Sequence, residues 1–280
     1  MSTEILSRHW SEEDLTTSGI VIGPDLICEA LQGYWKAYST GRAGHKQVRL
    51  NFGDDGSKEV AHEAFFHAYS GTKSLHFAPS NGTRNQSTKQ VDLTLRNEVT
   101  GRHLMSLDGV AIANGRTGWF ALACANLLAP KRDIKVFIFG AGRIAEAVIL
   151  SLDFGAASKI KSVAVLSRHG ISNRRLVEKL APRVKLQLLA VRHRELLRTA
   201  NLVIAATNAD GPVFDTTELA FSAVTLSFGT NELPSDYMPI VMTGDGSITR
   251  DDVDELESFT GALLSLHHRG SRSEILDSRS

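Results

Sequence analysis

The chain has 280 residues, 42% of them hydrophobic and 22% charged, a composition typical of globular proteins that excludes wholesale disorder. Its 31 basic and 31 acidic residues cancel, so no basic excess indicates nucleic-acid binding. The N-terminus MSTEILSRHW lacks the apolar run of a signal peptide, and no apolar stretch approaches the roughly 20 residues that span a bilayer. We therefore expect a cytoplasmic protein that binds neither membranes nor nucleic acid.

The N-terminal part of the chain predicts a helix packed against a mixed sheet. Apolar residues recur at helical spacing over residues 25–38, which gives this segment one buried face. Short strand-like pieces, separated by Gly and Asn clusters, are predicted at 64–69, 74–77, 90–95 and 103–107. A helix rich in Ala and Leu follows at 115–128 and ends before Pro130.

From residue 133 onward, apolar strands alternate with helices. Strands are predicted at 135–139, 162–167, 185–191, 202–207, 223–228 and 239–242. Helices are predicted at 143–152, 173–180, 193–199 and 251–264. This alternation is typical of a doubly wound parallel sheet, so the fold class is α/β with a Rossmann-type domain.

The run DIKVFIFGAGRIAEAVILSL carries the strongest local signal. An apolar strand leads into a GxGxxA turn, and a helix opens at once. In this pattern the first glycine permits the tight turn, the second lets the backbone approach a pyrophosphate, and Ala145 allows close packing. The helix N-terminus adds amide donors. We therefore predict that the phosphates of a dinucleotide bind Gly140, Ala141, Gly142, Arg143 and Ile144.

The residues after the second strand of this domain bear on cofactor choice. An NAD site usually has Asp or Glu there to hold the ribose 2′-hydroxyl, whereas this chain has Ser167 and Arg168. Without a carboxylate, a 2′-phosphate meets no repulsion, and a guanidinium group can bind it. We therefore predict a preference for NADP(H), with NAD(H) possible. The alternative is that Arg168 is a solvated loop charge.

Polar residues also follow the later strands. Thr207 and Asn208 come directly after the strand at 202–207, and Thr230 follows the strand at 223–228. The carboxyl ends of parallel strands face the ligand in open sheets, so we predict that these residues neighbour the cofactor, Thr207 and Asn208 near its nicotinamide. The alternative is ordinary turn chemistry, since Asn and Gly favour turns.

An ordered set of motifs over about residues 25–245 resembles the ornithine cyclodeaminase and mu-crystallin family. The matching stretches are Val48-Arg49, His67-Ala68-Tyr69-Ser70, Lys73 through Pro79-Ser80-Asn81, Thr100-Gly101, Asp108-Gly109, Arg116-Thr117, the phosphate turn and Ala206-Thr207-Asn208. The resemblance implies a substrate-binding and dimerisation domain at 1–115, a Rossmann domain at 116–255, and a C-terminal helix and tail at 256–280 that returns to the first domain in relatives. It therefore implies a homodimer.

The resemblance also implies roles for single residues. Arg49 and Arg116 match the arginines that hold a substrate carboxylate, for which a guanidinium fork is suited. Lys73 matches the active-site lysine that contacts the substrate and assists proton transfer. Arg116 opens the predicted helix at 115–128, where a cation is electrostatically unfavourable, and this favours a ligand role. Thr117 is placed with the cofactor and Asn231 with the substrate.

One departure from the family pattern decides between reactions. Cyclodeaminases carry a catalytic Asp after the fifth strand, where this chain has Gly229-Thr230-Asn231-Glu232. An amide cannot exchange a proton as a carboxylate does. The sequence therefore favours an NADP(H)-dependent oxidoreductase acting on a C–N bond next to a carboxylate, a ketimine reductase or amino-acid dehydrogenase. The alternatives are an ammonia lyase with recycled NAD and a mu-crystallin-like binding protein for a small ligand.

A metal site is not predicted. His62, His67 and His76 lie in one region, but no HxxxH or HxxE pair at helical spacing emerges. We expect them to be surface or hydrogen-bonded histidines.

Overall fold

The computed structural model describes residues 9–52, 57–84, 87–220, 222–229 and 232–235, with the backbone alone for residues 47–52, 58 and 82. The chain forms two compact units, Met1–Arg116 and Thr117–Ser280, called unit 1 and unit 2 below. Among the described helices, none is both long and apolar enough to cross a membrane.

Unit 1 is built on a six-stranded sheet with the strand order β1-β6-β5-β4-β3-β2. Strands β2 to β6 are antiparallel neighbours in chain order, and β1 adds a short parallel pairing to β6. The strands are β1 His9–Trp10, β2 Ala43–Phe52, β3 Ser57–Phe66, β4 Tyr69–Phe77, β5 Lys89–Asn97 and β6 His103–Asp108. The helices are α1 Glu12–Thr17 and α2 Pro24–Tyr38, with a 3-10 turn at Pro79–Arg84.

Helix α2 lies over the β2–β3 side of this sheet. Proline in its first turn fits the helix start because no intrahelical donor is lost there. Tyr34 contacts the rings of His45 and Phe66 at centroid distances of 6.0 and 6.5 Å. Over β4 and β5, Leu75 and Val91 pack against the start of the next helix. One face of the sheet is therefore covered by helices.

Helix α3, Val110–Leu127, continues from unit 1 into unit 2. The sequence predicted its start at residue 115, five residues too late. Arg116 consequently lies in the second turn, and the inference that it opens the helix is wrong. The N-terminal donors lie nearer to Val110, whose amide is capped by the Asp108 carboxylate at 2.8 Å.

Unit 2 contains a five-stranded parallel sheet with the strand order β11-β10-β7-β8-β9. Its strands are β7 Ile134–Phe139, β8 Ile160–Leu166, β9 Leu188–Val191, β10 Leu202–Ala205 and β11 Val224–Ser227. Its helices are α4 Arg143–Ala156 and α5 Ser172–Leu180, with 3-10 turns at Ala157–Lys159, Glu195–Thr199 and Thr216–Glu218. The strands are buried on both faces, so they read as continuous apolar runs.

The α/β fold class with a Rossmann-type parallel sheet is confirmed. Two elements were predicted wrongly. The strand at 64–69 is interrupted by a hairpin turn, in which His67 takes a positive φ of 54° without the Gly or Asn that usually marks such turns. The helix at 193–199 is only the 3-10 turn Glu195–Thr199. The elements predicted at 239–242 and 251–264 lie outside the described residues.

Candidate functional site

The ends of three strands, β7, β8 and β10, are joined by hydrogen bonds at the carboxyl edge of the unit 2 sheet. After β7 the amide of Gly140 donates to the Leu166 carbonyl at 2.8 Å, and the amide of Ala206 donates to the Phe139 carbonyl at 2.8 Å. Strands β8 and β10 flank β7 on opposite sides, so the chain reverses its winding direction here. Such a switch point leaves a crevice at the carboxyl edge, where open α/β sheets bind ligands.

The two glycines of the turn have different structural roles. Gly140 has a φ of 101°, and a Cβ there would collide with the Ala206 carbonyl. Gly142 is the N-cap of α4, and a Cβ there would meet no atom within 4 Å. The first glycine is required by the fold, whereas the second keeps space open in front of the first amides of α4, a geometry that suits a phosphate. Arg143 is exposed at the helix start, and Ala141 and Ile144 pack against the core.

Asn173, at the start of α5, joins the ends of β8 and β9. Its side-chain amide donates to the carbonyls of Val165 and Val191, both at 2.8 Å. The hydroxyl of Ser167 donates to the Asn173 Oδ1 at 3.0 Å. That hydrogen is therefore used inside the loop, and Ser167 positions the segment after β8. The sequence analysis did not predict a structural role for Asn173, which is 1% exposed.

This connection brings two exposed arginines to neighbouring strand ends. Arg168 follows β8, and Arg192 follows β9 directly. The loop after β8 turns at Gly170, and a Cβ at that glycine would lie 3.9 Å from the Arg192 Cγ. Arg194, by contrast, pairs with Glu218 at 3.0 Å. Arg192 was not predicted as a site residue, although its place after β9 could have indicated it.

Glu232 joins the ends of β10 and β11 from inside the protein. The side chain is 1% exposed. One oxygen accepts from the Thr207 amide at 2.5 Å and its hydroxyl at 2.7 Å, and the other accepts from the Ser227 hydroxyl at 2.9 Å and the Gly229 amide at 2.5 Å. The sequence analysis noted only that Asn231 and Glu232 stand where cyclodeaminases carry a catalytic Asp. Its four donors could not be foreseen, because they come from two strand ends.

A second polar cluster lies in unit 1. The register pairs His62 in β3 directly with Lys73 in β4, so both side chains face the same side of the sheet, about 5 Å apart at their Cβ atoms. His45 pairs with Ala64, two residues along β3, and its Nδ1 lies 2.6 Å from the Tyr34 hydroxyl. The charge of Arg116 in α3 also acts on His62.

The electrostatics of this cluster centre on His62. Burial lowers its pKa, and the charges of Lys73, Arg116 and His45 lower it further, to about 3. The imidazole is therefore neutral near pH 7. The charges of the predicted residues Lys73 and Arg116 thus act on the same half-buried histidine.

The other predicted residues are placed as follows. Arg49 lies in β2, where the backbone register pairs it with Val60, but its side chain is outside the described part. Thr230 and Asn231 also lie outside the described residues. Thr207 is at the carboxyl edge, with its methyl group 3.2 Å from a Cβ built at Gly140, and the exposed Asn208 follows it. Thr117 begins unit 2 within α3.

Within the described part of the chain, no group of three His, Cys, Asp or Glu side chains is arranged to hold a metal ion.

Comparison with known proteins identifies one family. The sequence model of the ornithine cyclodeaminase/mu-crystallin family matches residues 31–229. No match was found among curated protein sequences.

Several solved structures share the fold. A Thermococcus litoralis Δ1-pyrroline-2-carboxylate reductase in complex with NADH and L-proline is 18% identical, with a TM-score of 0.71 over 81% of this chain and 72% of the other. An archaeal alanine dehydrogenase dimer with bound NAD is 20% identical, with a TM-score of 0.72 over 85% and 72% of the two chains. The iminosuccinate reductase of Paracoccus denitrificans in complex with NAD+ is 19% identical, with a TM-score of 0.66 over 81% and 71%.

The contacts of Glu232 lead to a stability prediction. In Glu232→Gln the new amide nitrogen faces donors, so at least one buried donor loses its acceptor. We expect the free energy of unfolding in urea to fall by about 2–3 kcal/mol. Glu178→Gln, the same change on the exposed face of α5, should stay within about 0.5 kcal/mol of the parent. Equal stability of both variants would contradict the assigned role of Glu232.

Proposed function

Because the chain belongs to the ornithine cyclodeaminase/mu-crystallin family, we propose that it is a nicotinamide-dependent oxidoreductase acting on a C–N bond next to a carboxylate. It reduces a ketimine to an amino acid or catalyses the reverse oxidation. The similar folds described above include a reductase, a dehydrogenase and a second reductase named for an imine substrate.

The observation that carries this proposal is the pairing of Lys73 and Arg116 around His62. Lys73 pairs directly with His62 across β3 and β4, and the charge of Arg116 in α3 acts on the same half-buried imidazole. Charges of one sign gathered on a partly desolvated surface favour binding of an anion. An amino acid or its imine supplies that anion as a carboxylate, beside the nitrogen on which the chemistry occurs.

Each residue of the site is proposed to have a role that follows from its side-chain chemistry. A bound nicotinamide cofactor supplies or accepts the hydride. Arg116 and Arg49 hold the substrate carboxylate, since a guanidinium can bind both of its oxygens. Lys73 exchanges a proton with the substrate nitrogen. In unit 2, Gly142 and the first amides of α4 hold the cofactor phosphates, while Thr207 and Asn208 line its nicotinamide end with Thr230, and Asn231 contacts the substrate.

We further propose that the cofactor is NADP(H) rather than NAD(H). Arg168 and Arg192 both lie at the end of the sheet where the adenosine ribose binds in Rossmann domains. Within the described part, neither takes part in an ion pair. Two guanidinium groups on adjoining loops can bind a 2′-phosphate dianion.

An ammonia lyase with recycled cofactor is the weaker candidate. That reaction needs a carboxylate free to exchange protons near the fifth strand. Glu232 is the described carboxylate next to that place, and both of its oxygens already accept hydrogen bonds from two donors each. A lyase would turn over without net change in the absorbance of reduced nicotinamide, so steady cofactor oxidation or reduction during turnover separates the two reactions.

The catalytic roles predict different kinetic defects for two variants. Lys73→Met should lower kcat by about 100-fold or more, since it removes the proton carrier. Arg116→Leu should mainly raise KM, because it removes a charge-assisted carboxylate contact. Cofactor affinity, measured by nicotinamide fluorescence, should not change in either.

Lys46→Met serves as the control, because Lys46 is exposed and pairs with Glu63 on the opposite face of the sheet. It should have parental kinetics. Normal turnover in Lys73→Met would remove this lysine from the mechanism.

Cofactor preference gives a charge-reversal prediction. Arg168→Asp should weaken NADPH binding relative to NADH by at least about tenfold, or roughly 1.4 kcal/mol. Arg183→Asp makes the same change in charge beyond the other end of α5, where a phosphate at the carboxyl edge is screened by salt. It should leave the ratio of dissociation constants unchanged. A parent enzyme that binds NADH more tightly would refute the preference.

We also propose that the protein is a homodimer joined through its unit 1 sheets. The β3–β4 hairpin exposes Phe65 by 41% and Tyr69 by 46%, and β2 is an edge strand in the described sheet. Exposed aromatic residues and an open strand edge favour association. Light scattering at micromolar concentration should give twice the chain mass of 30.5 kDa. A monomer would contradict the proposal.

A further inference from the structure

Basic side chains form a row across three neighbouring strands of unit 1. Lys73 lies in β4 and its direct partner His62 in β3, while His45 lies in β2 opposite Ala64, two residues along β3 from His62. Neighbouring strands are about 4.8 Å apart, so the row is roughly 10 Å long. The charge of Arg116 in α3 also acts on His62. The row is longer than a single carboxylate requires.

The acidic residues of these strands lie on the other side. Glu59, Glu63 and Asp92 occupy the alternate register positions, opposite His76, Thr72 and Ser74. Successive residues of a strand point to opposite faces, so these carboxylates face away from the basic row. On the basic side, the charges that act on His62 are all positive, namely those of Lys73, Arg116 and His45.

His62 therefore differs in kind from its neighbours. Burial and the adjacent cations hold its pKa near 3, so at neutral pH it is an uncharged imidazole with one donor and one acceptor nitrogen. A carboxylate held by Lys73 and Arg116 leaves this imidazole beside the rest of the substrate. His45 lies further along the row, with its Nδ1 engaged by Tyr34.

We infer that His62 is a specificity-determining residue and that the site takes a short dicarboxylate, an amino acid or imine with a second acidic group. The inference rests on the proposed function, since it names the substrate class of the Lys73–Arg116 site. The first carboxylate binds the two cations, and the second binds the His62 ring.

A second carboxylate also changes the protonation of His62. Its negative charge opposes the field of Lys73, Arg116 and His45, so the pKa of His62 rises towards its ordinary value. The ring then takes a proton from solvent as the ligand binds. Because the complex holds more protons than the separate partners, affinity for the dicarboxylate falls as the pH rises. A monocarboxylate held by the two cations produces less of this uptake.

The test uses the full chain with cofactor bound and two simple probes, glutarate and butyrate. Isothermal titration calorimetry at pH 6 in two buffers of different ionisation enthalpy measures affinity and proton uptake together. We expect glutarate to bind at least about tenfold more tightly than butyrate, with uptake of a proton fraction, and we expect this preference to fall at least about threefold by pH 8. Equal affinities, or no proton uptake with glutarate, would overturn the inference.

Two variants assign the effect to His62. His62→Gln keeps a hydrogen-bonding side chain of similar length but cannot take up the proton, so it should abolish the uptake and cut the preference for glutarate at least about fivefold. His76→Gln makes the same change at an exposed position on the opposite face of β4 and should behave as the parent. Proton uptake that persists in His62→Gln would exclude His62. If that variant fails to fold, the parent's pH dependence still decides whether a dicarboxylate is preferred.

The outcome is separable from that of the proposed function. Glutarate binding that depends on His62, without any change in nicotinamide absorbance for amino acids or for 2-oxo acids with ammonia, would keep the dicarboxylate site and refute the oxidoreductase. Turnover of monocarboxylic and dicarboxylic substrates at equal kcat/KM would do the reverse.

Discussion

The close approach of Gly140 to the Ala206 carbonyl is the contact on which the carboxyl edge of the unit 2 sheet depends. Strands β7 and β10 are hydrogen-bonded neighbours, and the chain leaving β7 must turn across the end of β10 before α4 begins. No side chain fits there, and the positive φ of Gly140 makes the turn sharp. Because of this turn, the first amides of α4 point out over the sheet edge instead of being used inside it.

The strand ends on either side of β7 all have backbone groups that need hydrogen-bond partners. A strand end leaves backbone amides and carbonyls without ladder partners, and burying them unpaired is costly. Two buried side chains supply these partners, one as a donor and the other as an acceptor. Asn173 satisfies carbonyls at β8 and β9 through its amide hydrogens, and Glu232 satisfies donors at β10 and β11 through its oxygens. The loops that carry Arg168 and Thr207 are therefore held in place by the buried side chains of Asn173 and Glu232.

This difference explains what the sequence could predict. The glycine turn after β7 could be predicted because strand, glycines and helix are contiguous, and the parallel sheet could be predicted because its strands are continuous apolar runs. Asn173 and Glu232 were missed because their partners lie on separate strands, so no local pattern marks them. The hairpin at His67 was missed because tertiary structure imposes a positive φ on a residue type that gives no turn signal. Lys73 and Arg116 were predicted from an ordered family pattern, whereas the pairing of Lys73 with His62 needed the β3–β4 register.

The basic row of unit 1 favours binding of an anion, but it does not stabilise the folded chain. Like charges on a half-buried face raise the free energy of the folded state. The low pKa of His62 is one consequence: the unfolded chain takes up a proton at this residue near pH 6.5 and the folded chain does so only near pH 3. This group's contribution to stability is therefore lost as the pH falls between those values. An anion bound in the row relieves the same repulsion and stabilises the fold by linkage. The repulsion between these cations therefore favours binding of a negatively charged ligand.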